Sequence, residues 1–244
     1  MSFFFEEEIY EGVVSYNPTG AGYAAFAVLL LLLLLLTAFL TATGKKRKSG
    51  KDSEKEQSGK RVLRQTGKGA QQLAFSAMAL ALATVMSMLK LVELPMGGSL
   101  TLCSMFFITV IGYWFGFRTG LMTAVAYGIL QLIIGPYIIT PLQLLVDYIF
   151  AFGALGLAGL FANRRGGLLI GYWAGVCGRF VFAFLSGMIF FGAYAADYGM
   201  SAPLYSALYN GIYIFAEAVL TTLILLIPPV NKALKRIKNM TQAE

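Results

Sequence analysis

The chain contains no histidine. That removes histidine-based catalytic triads, histidine proton relays and histidine metal ligands. It has two cysteines, Cys103 and Cys177, without metal-binding or redox spacing. Both fall in apolar runs, where a small buried hydrophobe is the simplest reading. Charge is scarce: 13% of the 244 residues are charged, against about a quarter in a soluble domain. There is no Walker A sequence, no zinc-protease motif and no paired-carboxylate metal site. The reading is therefore a non-enzyme without a cofactor. With no ATPase motif in the chain, any active transport has to be powered by another protein.

What fills the space is apolar. Hydrophobic residues make up 58% of the chain and the mean hydropathy is +0.71. Apolar runs long enough to span a bilayer argue for transmembrane helices. The short alternating segments of a membrane barrel are missing. The expected class is an all-α membrane protein. Residues 1–20 read as a polar, acidic tail with Glu6, Glu7, Glu8 and Glu11. Residues 21–43 hold the leucine run 29–36 and read as an additional transmembrane helix. The acidic start and the length of the run argue against a cleaved signal peptide. Residues 44–72 read as a basic, disordered cytoplasmic linker. Six further apolar segments follow within 73–230, at about 73–92, 100–116, 119–135, 142–162, 168–190 and 204–228. The second is short for a full span. Residues 231–244 read as a basic cytoplasmic tail.

The net charge is +7, and residues 45–68 carry all of it, with ten Lys/Arg and three acids. A basic excess confined to one polar stretch beside an apolar run points to the cytoplasmic face and anionic lipid. No aromatic-rich basic module accompanies it, so nucleic acid is excluded as a partner. With the linker inside, the six core segments deliver Arg118, Arg164-Arg165 and Lys232, Lys235, Arg236 and Lys238 to the same side. Seventeen of the 19 basic residues then lie inside. Both ends of the core are cytoplasmic in this topology, and the extra helix places residue 1 outside.

Ionisable groups inside spans are costly and mark function by default. Asp147 sits about five residues below the outer end of its helix, roughly 8 Å deep at ~1.5 Å per residue, with Tyr148 and Phe150 as neighbours. Two readings stand: a carboxylate holding a ligand cation beside aromatic faces, or a brace within the helix or against Lys90. Arg179 and Glu217 lie at matching depths on consecutive antiparallel helices, and a mutual ion pair is the expectation. Tyr205 and Tyr209 share a face one turn apart and read as an interfacial aromatic belt. Asn210 offers a donor and an acceptor suited to a heterocycle edge. Ala77 and Ala81 form a small-xxx-small pair that lets another helix approach closely.

Several stretches, in order, resemble one family. They are Pro95-Met96-Gly97-Gly98-Ser99, Phe117-Arg118-Thr119-Gly120-Leu121, residues 143–152 around Asp147, residues 187–195, and Leu204-Tyr205-Ser206-Ala207-Leu208-Tyr209-Asn210. Over about 73–238 the chain resembles the thiamine-specific S-component family of energy-coupling-factor (ECF) transporters. The resemblance implies a six-helix S-component bundle in the cell membrane, here preceded by one extra helix. It implies thiamine bound from outside, and work with a transmembrane coupling subunit and two ATPase subunits. On that resemblance Asp147 faces the positive part of thiamine, with Tyr148 beside it. Tyr205 and Asn210 contact the pyrimidine region, and Tyr127, Tyr137 and Phe191 supply aromatic contacts. Ala77 and Ala81 would meet the coupling subunit.

The sequence departs from the family pattern in places. A family histidine of the fifth helix is Ala183 here, and Gln131 or Ser186 is the replacement expected for its polar contact. Some members carry Glu at Asp147 and Trp at Tyr127 and Phe191. The alternatives are an S-component for another vitamin or heterocyclic solute, and a membrane accessory or interaction protein recruited through the extra helix and linker.

Overall fold

The computed structural model describes residues 5–10, 13–18, 56–134, 137 and 140–243, with side chains within 69–241. The additional helix expected at 21–43 lies outside the described residues. Within the tail read at 1–20, strands β1 (Phe5–Tyr10) and β2 (Val13–Pro18) pair antiparallel.

Helix α1 runs from Glu56 to Met88. It reaches back into the segment read as a disordered linker. The reason lies in residue type: Glu, Gln, Lys, Arg and Leu between 56 and 72 are good helix formers, and the apolar run beyond gives the helix something to continue into. The apolar part, Gly69–Met88, is long enough to cross a membrane. After it comes a small hairpin the hydropathy pattern did not announce. Strands β3 (Lys90–Glu93) and β4 (Ser99–Thr101) pair antiparallel around a turn at Pro95–Gly97. The Leu94 amide donates to the Gly98 carbonyl at 2.8 Å and closes it. Met96 (φ 60°) and Gly97 (φ 88°) sit in the left-handed region, and glycine at 97 meets that demand without strain.

Five more helices build the core. Helix α2 (Ser104–Phe115) is the short second segment. Helix α3 spans Phe117–Ile134, α4 Pro141–Phe161, α5 Gly167–Phe190 and α6 Ala202–Leu226. The amphipathic α7 (Pro228–Ala243) starts at the proline pair that ends α6. Helix α4 is irregular. A wide π turn covers Leu145–Phe150 and a 3₁₀ stretch covers Ala154–Phe161.

Among the described residues, five helices are long and apolar enough to cross a membrane, and only 11–44% of the residues in their most apolar windows are buried. Leu73, Met122 and Ile133 are more than 70% exposed. Such a surface is untenable in water and suits a lipid environment; the protein is a multi-pass membrane protein. Inside, glycines replace side chains where helices meet. A Cβ on Gly159 would fall 2.5 Å from the Phe117 nitrogen, and one on Gly120 would fall 2.6 Å from the Gly112 Cα. Contacts this close are the small-residue packing typical of membrane helices.

One end of the bundle gathers the basic residues. The Trp114 indole donates to the Leu234 carbonyl at 3.1 Å and docks α7 under α2. Buried Lys238 donates to the Ala162 carbonyl, with its ammonium 4.0 Å from the centroid of the Tyr113 ring. Arg164 leans over Phe161 nearby. The opposite end carries the β3–β4 hairpin and an open cavity.

Candidate functional site

The cavity has a volume of about 400 Å³, within the range of small-molecule sites. Its walls come from the hairpin, the start of α2, and the parts of α1 and α3 to α6 nearest the hairpin. All nine residues singled out for ligand contact line it: Tyr127, Gln131, Tyr137, Asp147, Tyr148, Ser186, Phe191, Tyr205 and Asn210.

Asp147 lies in the π turn. A π turn widens the helix and leaves backbone groups irregularly spaced, a feature common at functional sites. Gly128 of α3 allows the wide turn to come close, since a Cβ there would meet the Tyr148 carbonyl oxygen at 1.9 Å. Gln143, one turn earlier, is fully buried and donates from Nε2 to Asp147 Oδ2 at 2.5 Å and to the Tyr137 carbonyl at 3.1 Å. The Tyr137 amide in turn donates to the Tyr148 hydroxyl at 2.8 Å. Thr140 caps the start of α4 by accepting from the Gln143 amide. The loop before α4 is thus tied to the carboxylate through Gln143, and to Tyr148 by a separate hydrogen bond. Ser186 is 1% exposed, and its hydroxyl lies beside Asp147.

Aromatic rings surround the carboxylate. Tyr137 and Phe191 have centroids 5.9 Å apart. Tyr127 is buried edge-on against Phe152 at 5.2 Å. Tyr205 stacks on Tyr209 at 5.8 Å and on Tyr198 at 5.3 Å. Tyr209 is more than a belt residue. It accepts a hydrogen bond from the Gly98 amide at 2.9 Å and donates to the Pro95 carbonyl, holding the hairpin over the cavity. Its role was hidden in the sequence because a belt tyrosine and a clamp tyrosine have the same spacing. Gln131 donates to Ser87 at 2.8 Å, toward α1.

Asn210 is engaged by the protein itself. Its Nδ2 donates to the carbonyls of Ala183 and Ser206 at 3.1 and 3.0 Å, and its Oδ1 accepts from the Tyr213 hydroxyl at 2.9 Å. Ala183, where the family histidine would stand, therefore contributes a carbonyl to this network.

The expected Arg179–Glu217 pair is absent. Lys90–Glu93, at 2.6 Å, is the one ion pair among the described residues, so Lys90 does not brace Asp147 either. Arg179 instead lies in the cavity wall with its guanidinium 4.4 Å from the centroid of the Phe152 ring, a cation–π contact. Glu217, 2% exposed, points to the start of α2. It accepts from Thr101 Oγ1 at 2.7 Å, Ser104 Oγ at 3.0 Å and the Met105 amide at 3.0 Å. Matching depth places two groups on the same level but leaves open which way each helix face turns. Cys177 is also corrected: it is exposed on α5, and Cys103 is half-buried.

Residues 73–237 match the family model described as Thiamine transporter protein (Thia_YuaJ). The chain belongs to the thiamine transporter protein family. Among curated relatives, the thiamine transporter ThiT of Bacillus subtilis (strain 168) is 31% identical over 147 residues, covering 54% of this chain and 76% of that protein. A solved structure of ThiT from Listeria monocytogenes matches with a TM-score of 0.54 and 25% identity, over 66% of this chain and 97% of that one. The family is one of transporters, not enzymes. The match begins at Leu73, so it leaves residues 1–72 outside.

Proposed function

We propose that the protein is the thiamine-binding S-component of an ECF-type importer in the cell membrane, and that it takes the vitamin from outside. The observation that carries this reading is Asp147. It is a carboxylate set in a π turn, oriented by Gln143 and ringed by Tyr127, Tyr137, Tyr148 and Phe191. A carboxylate beside aromatic faces suits a flat, permanently cationic heterocycle. The family and its Bacillus subtilis relative are both named for thiamine transport. The clustering of Arg118, Arg164, Arg165 and α7 away from the cavity supports an outward-facing site, with both ends of the core inside.

Energy has to come from partners, and the reading includes a transmembrane coupling subunit and two ATPase subunits. Ala77 and Ala81 are exposed on α1, which supports that face as the place where the coupling subunit packs. A second reading, a different cationic heterocycle, draws on Asn210, whose amide is already committed to Ala183, Ser206 and Tyr213.

The test is a thiamine titration of detergent-purified protein followed by quenching of Trp114 and Trp173, with Asp147→Asn alongside. Saturable binding that weakens tenfold or more in the variant, about 1.4 kcal/mol, is the expected result. Saturable binding indifferent to the substitution would remove the charge assignment. An absence of binding in folded wild-type protein would remove thiamine as the ligand.

A further inference from the structure

Helix α2 starts without a cap of its own. Its N-cap position is Cys103, in a left-handed conformation (φ 58°, ψ 20°) and making no side-chain hydrogen bond to the helix. Left-handed backbone is strained for a side chain such as this and persists only where surroundings enforce it. The missing cap comes from another helix. Glu217 of α6, 112 residues further along the chain, accepts from the Met105 amide, as an N-cap side chain would. Its negative charge also complements the amino end of the α2 dipole. The same carboxylate accepts from Thr101 at the end of β4 and from Ser104 at the first residue of α2, and their two hydroxyl oxygens lie 2.8 Å apart.

Thr101 and Ser104 both line the cavity. The segment from Pro95 to Met105 is therefore held by α6 at two places. Tyr205 and Tyr209 grip its outer part, at Met96, Pro95 and Gly98. Glu217 grips its inner part, about two turns beyond Tyr209 and three beyond Tyr205 on the same helix. A buried carboxylate is expensive unless its oxygens are fully engaged. Here the three donors that engage it all belong to one short segment. Losing that segment's position would orphan the charge, so carboxylate and segment are locked to each other.

We propose that Glu217 is a positioning residue: through Thr101, Ser104 and the Met105 amide it fixes the cavity wall formed by residues 99–105 and so sets how long a bound ligand stays. The part concerning ligand residence rests on the binding reading above; the part concerning the wall does not.

The experiment uses the full-length protein in detergent, with Glu217→Gln, Thr101→Val and Asp147→Asn. Hydrogen exchange of the ligand-free protein is compared across peptides, and thiamine release is followed by stopped-flow fluorescence. Glu217→Gln is expected to speed exchange of the 99–105 amides by roughly tenfold and to leave α5 protected. Thiamine release is expected to accelerate by a similar factor. Thr101→Val, which removes one donor and keeps the fold if Glu217→Gln does not, should act in the same direction more weakly. Asp147→Asn should weaken affinity and leave exchange at 99–105 as in the wild type. Unchanged exchange at 99–105 in folded Glu217→Gln would overturn the proposal whether or not thiamine binds. A uniform rise across all spans would also overturn it, by making Glu217 a general stability residue. Local loosening in a protein that binds no thiamine would sustain the wall's dependence on Glu217 and overturn the thiamine reading alone.

Discussion

Gln143 holds Asp147. The amide of one reaches the carboxylate of the other at 2.5 Å, four residues along the same helix and across the start of a π turn. The second acceptor of the same amide, the Tyr137 carbonyl, belongs to the loop at the cavity mouth. Gln143 therefore sets both the direction of the charge and the position of an aromatic wall.

Replacing Gln143 by Leu keeps the volume and removes the bridge. The expected result is weaker thiamine binding by about 1 kcal/mol, the typical net worth of one intramolecular hydrogen bond. Isothermal titration calorimetry reads it directly. The loss should be smaller than for Asp147→Asn, because the carboxylate itself remains.

Arg179 and Glu217 serve different neighbours, Phe152 and the start of α2. The double variant Arg179→Met, Glu217→Gln is expected to lose stability as the sum of the singles, within ~0.5 kcal/mol. A thermal-shift series in detergent measures it. An ion pair would instead show a large coupling in the cycle.

Gly128→Ala tests the contact that seats the π turn. The added methyl meets the Tyr148 carbonyl oxygen, a backbone atom that has no rotamer to yield. Destabilisation of about 1–3 kcal/mol follows for an overpacked core, and thiamine binding should fall with it because Asp147 immediately precedes Tyr148. Melting temperature and affinity measured together check both consequences.

Lys238 gives the pH prediction. Burial lowers its pKa from the ordinary value of 10.5. The folded state thus holds this proton less tightly than the unfolded chain, which binds more protons in the interval between the two values. Stability of the docked α7 therefore rises as pH climbs through that interval toward 10.5 and is lower below it. Lys238→Met should abolish the dependence. Exchange protection of residues 228–243, followed between pH 8 and pH 10 in matched-rate conditions, is the measurement.

Removing residues 1–55 deletes what precedes α1 and, among the described residues, nothing that lines the cavity. Thiamine affinity is expected to match the full chain. A loss in folded truncated protein would assign the N-terminal segment to the site.

The spans were legible because lipid imposes one requirement on every segment, long apolar runs with satisfied backbone, and their order followed from where Arg118, Arg164 and α7 fall. Most cavity residues were legible through the family resemblance; chemistry by itself singled out Asp147 and Asn210. Other features depended on facing rather than depth. Glu217 shares a buried stripe with Asn210, Ile214 and Thr221 at helical spacing, which turns it toward α2 and away from Arg179. The β3–β4 hairpin was obscured because its strands are three and four residues long and abut an apolar helix. Its trace was the turn signal Pro95-Met96-Gly97-Gly98, since Lys90-Leu91-Val92-Glu93 shows no period-2 alternation. Tyr209 needed the position of Gly98, 111 residues away, which no local pattern contains.

The π turn at Leu145–Phe150 is, in the language of sequence change, a one-residue insertion held in place. Deleting a single residue within it would restore regular α-helix and keep both ends of α4 apolar. It would also rotate Asp147 and Gln143 by about 100° relative to the rest of α4 and shift them by about 1.5 Å. The carboxylate would leave the cavity while composition, hydropathy and length stayed almost unaltered. A gap opposite residues 145–150 in any relative therefore marks a protein that has kept this bundle and changed its ligand.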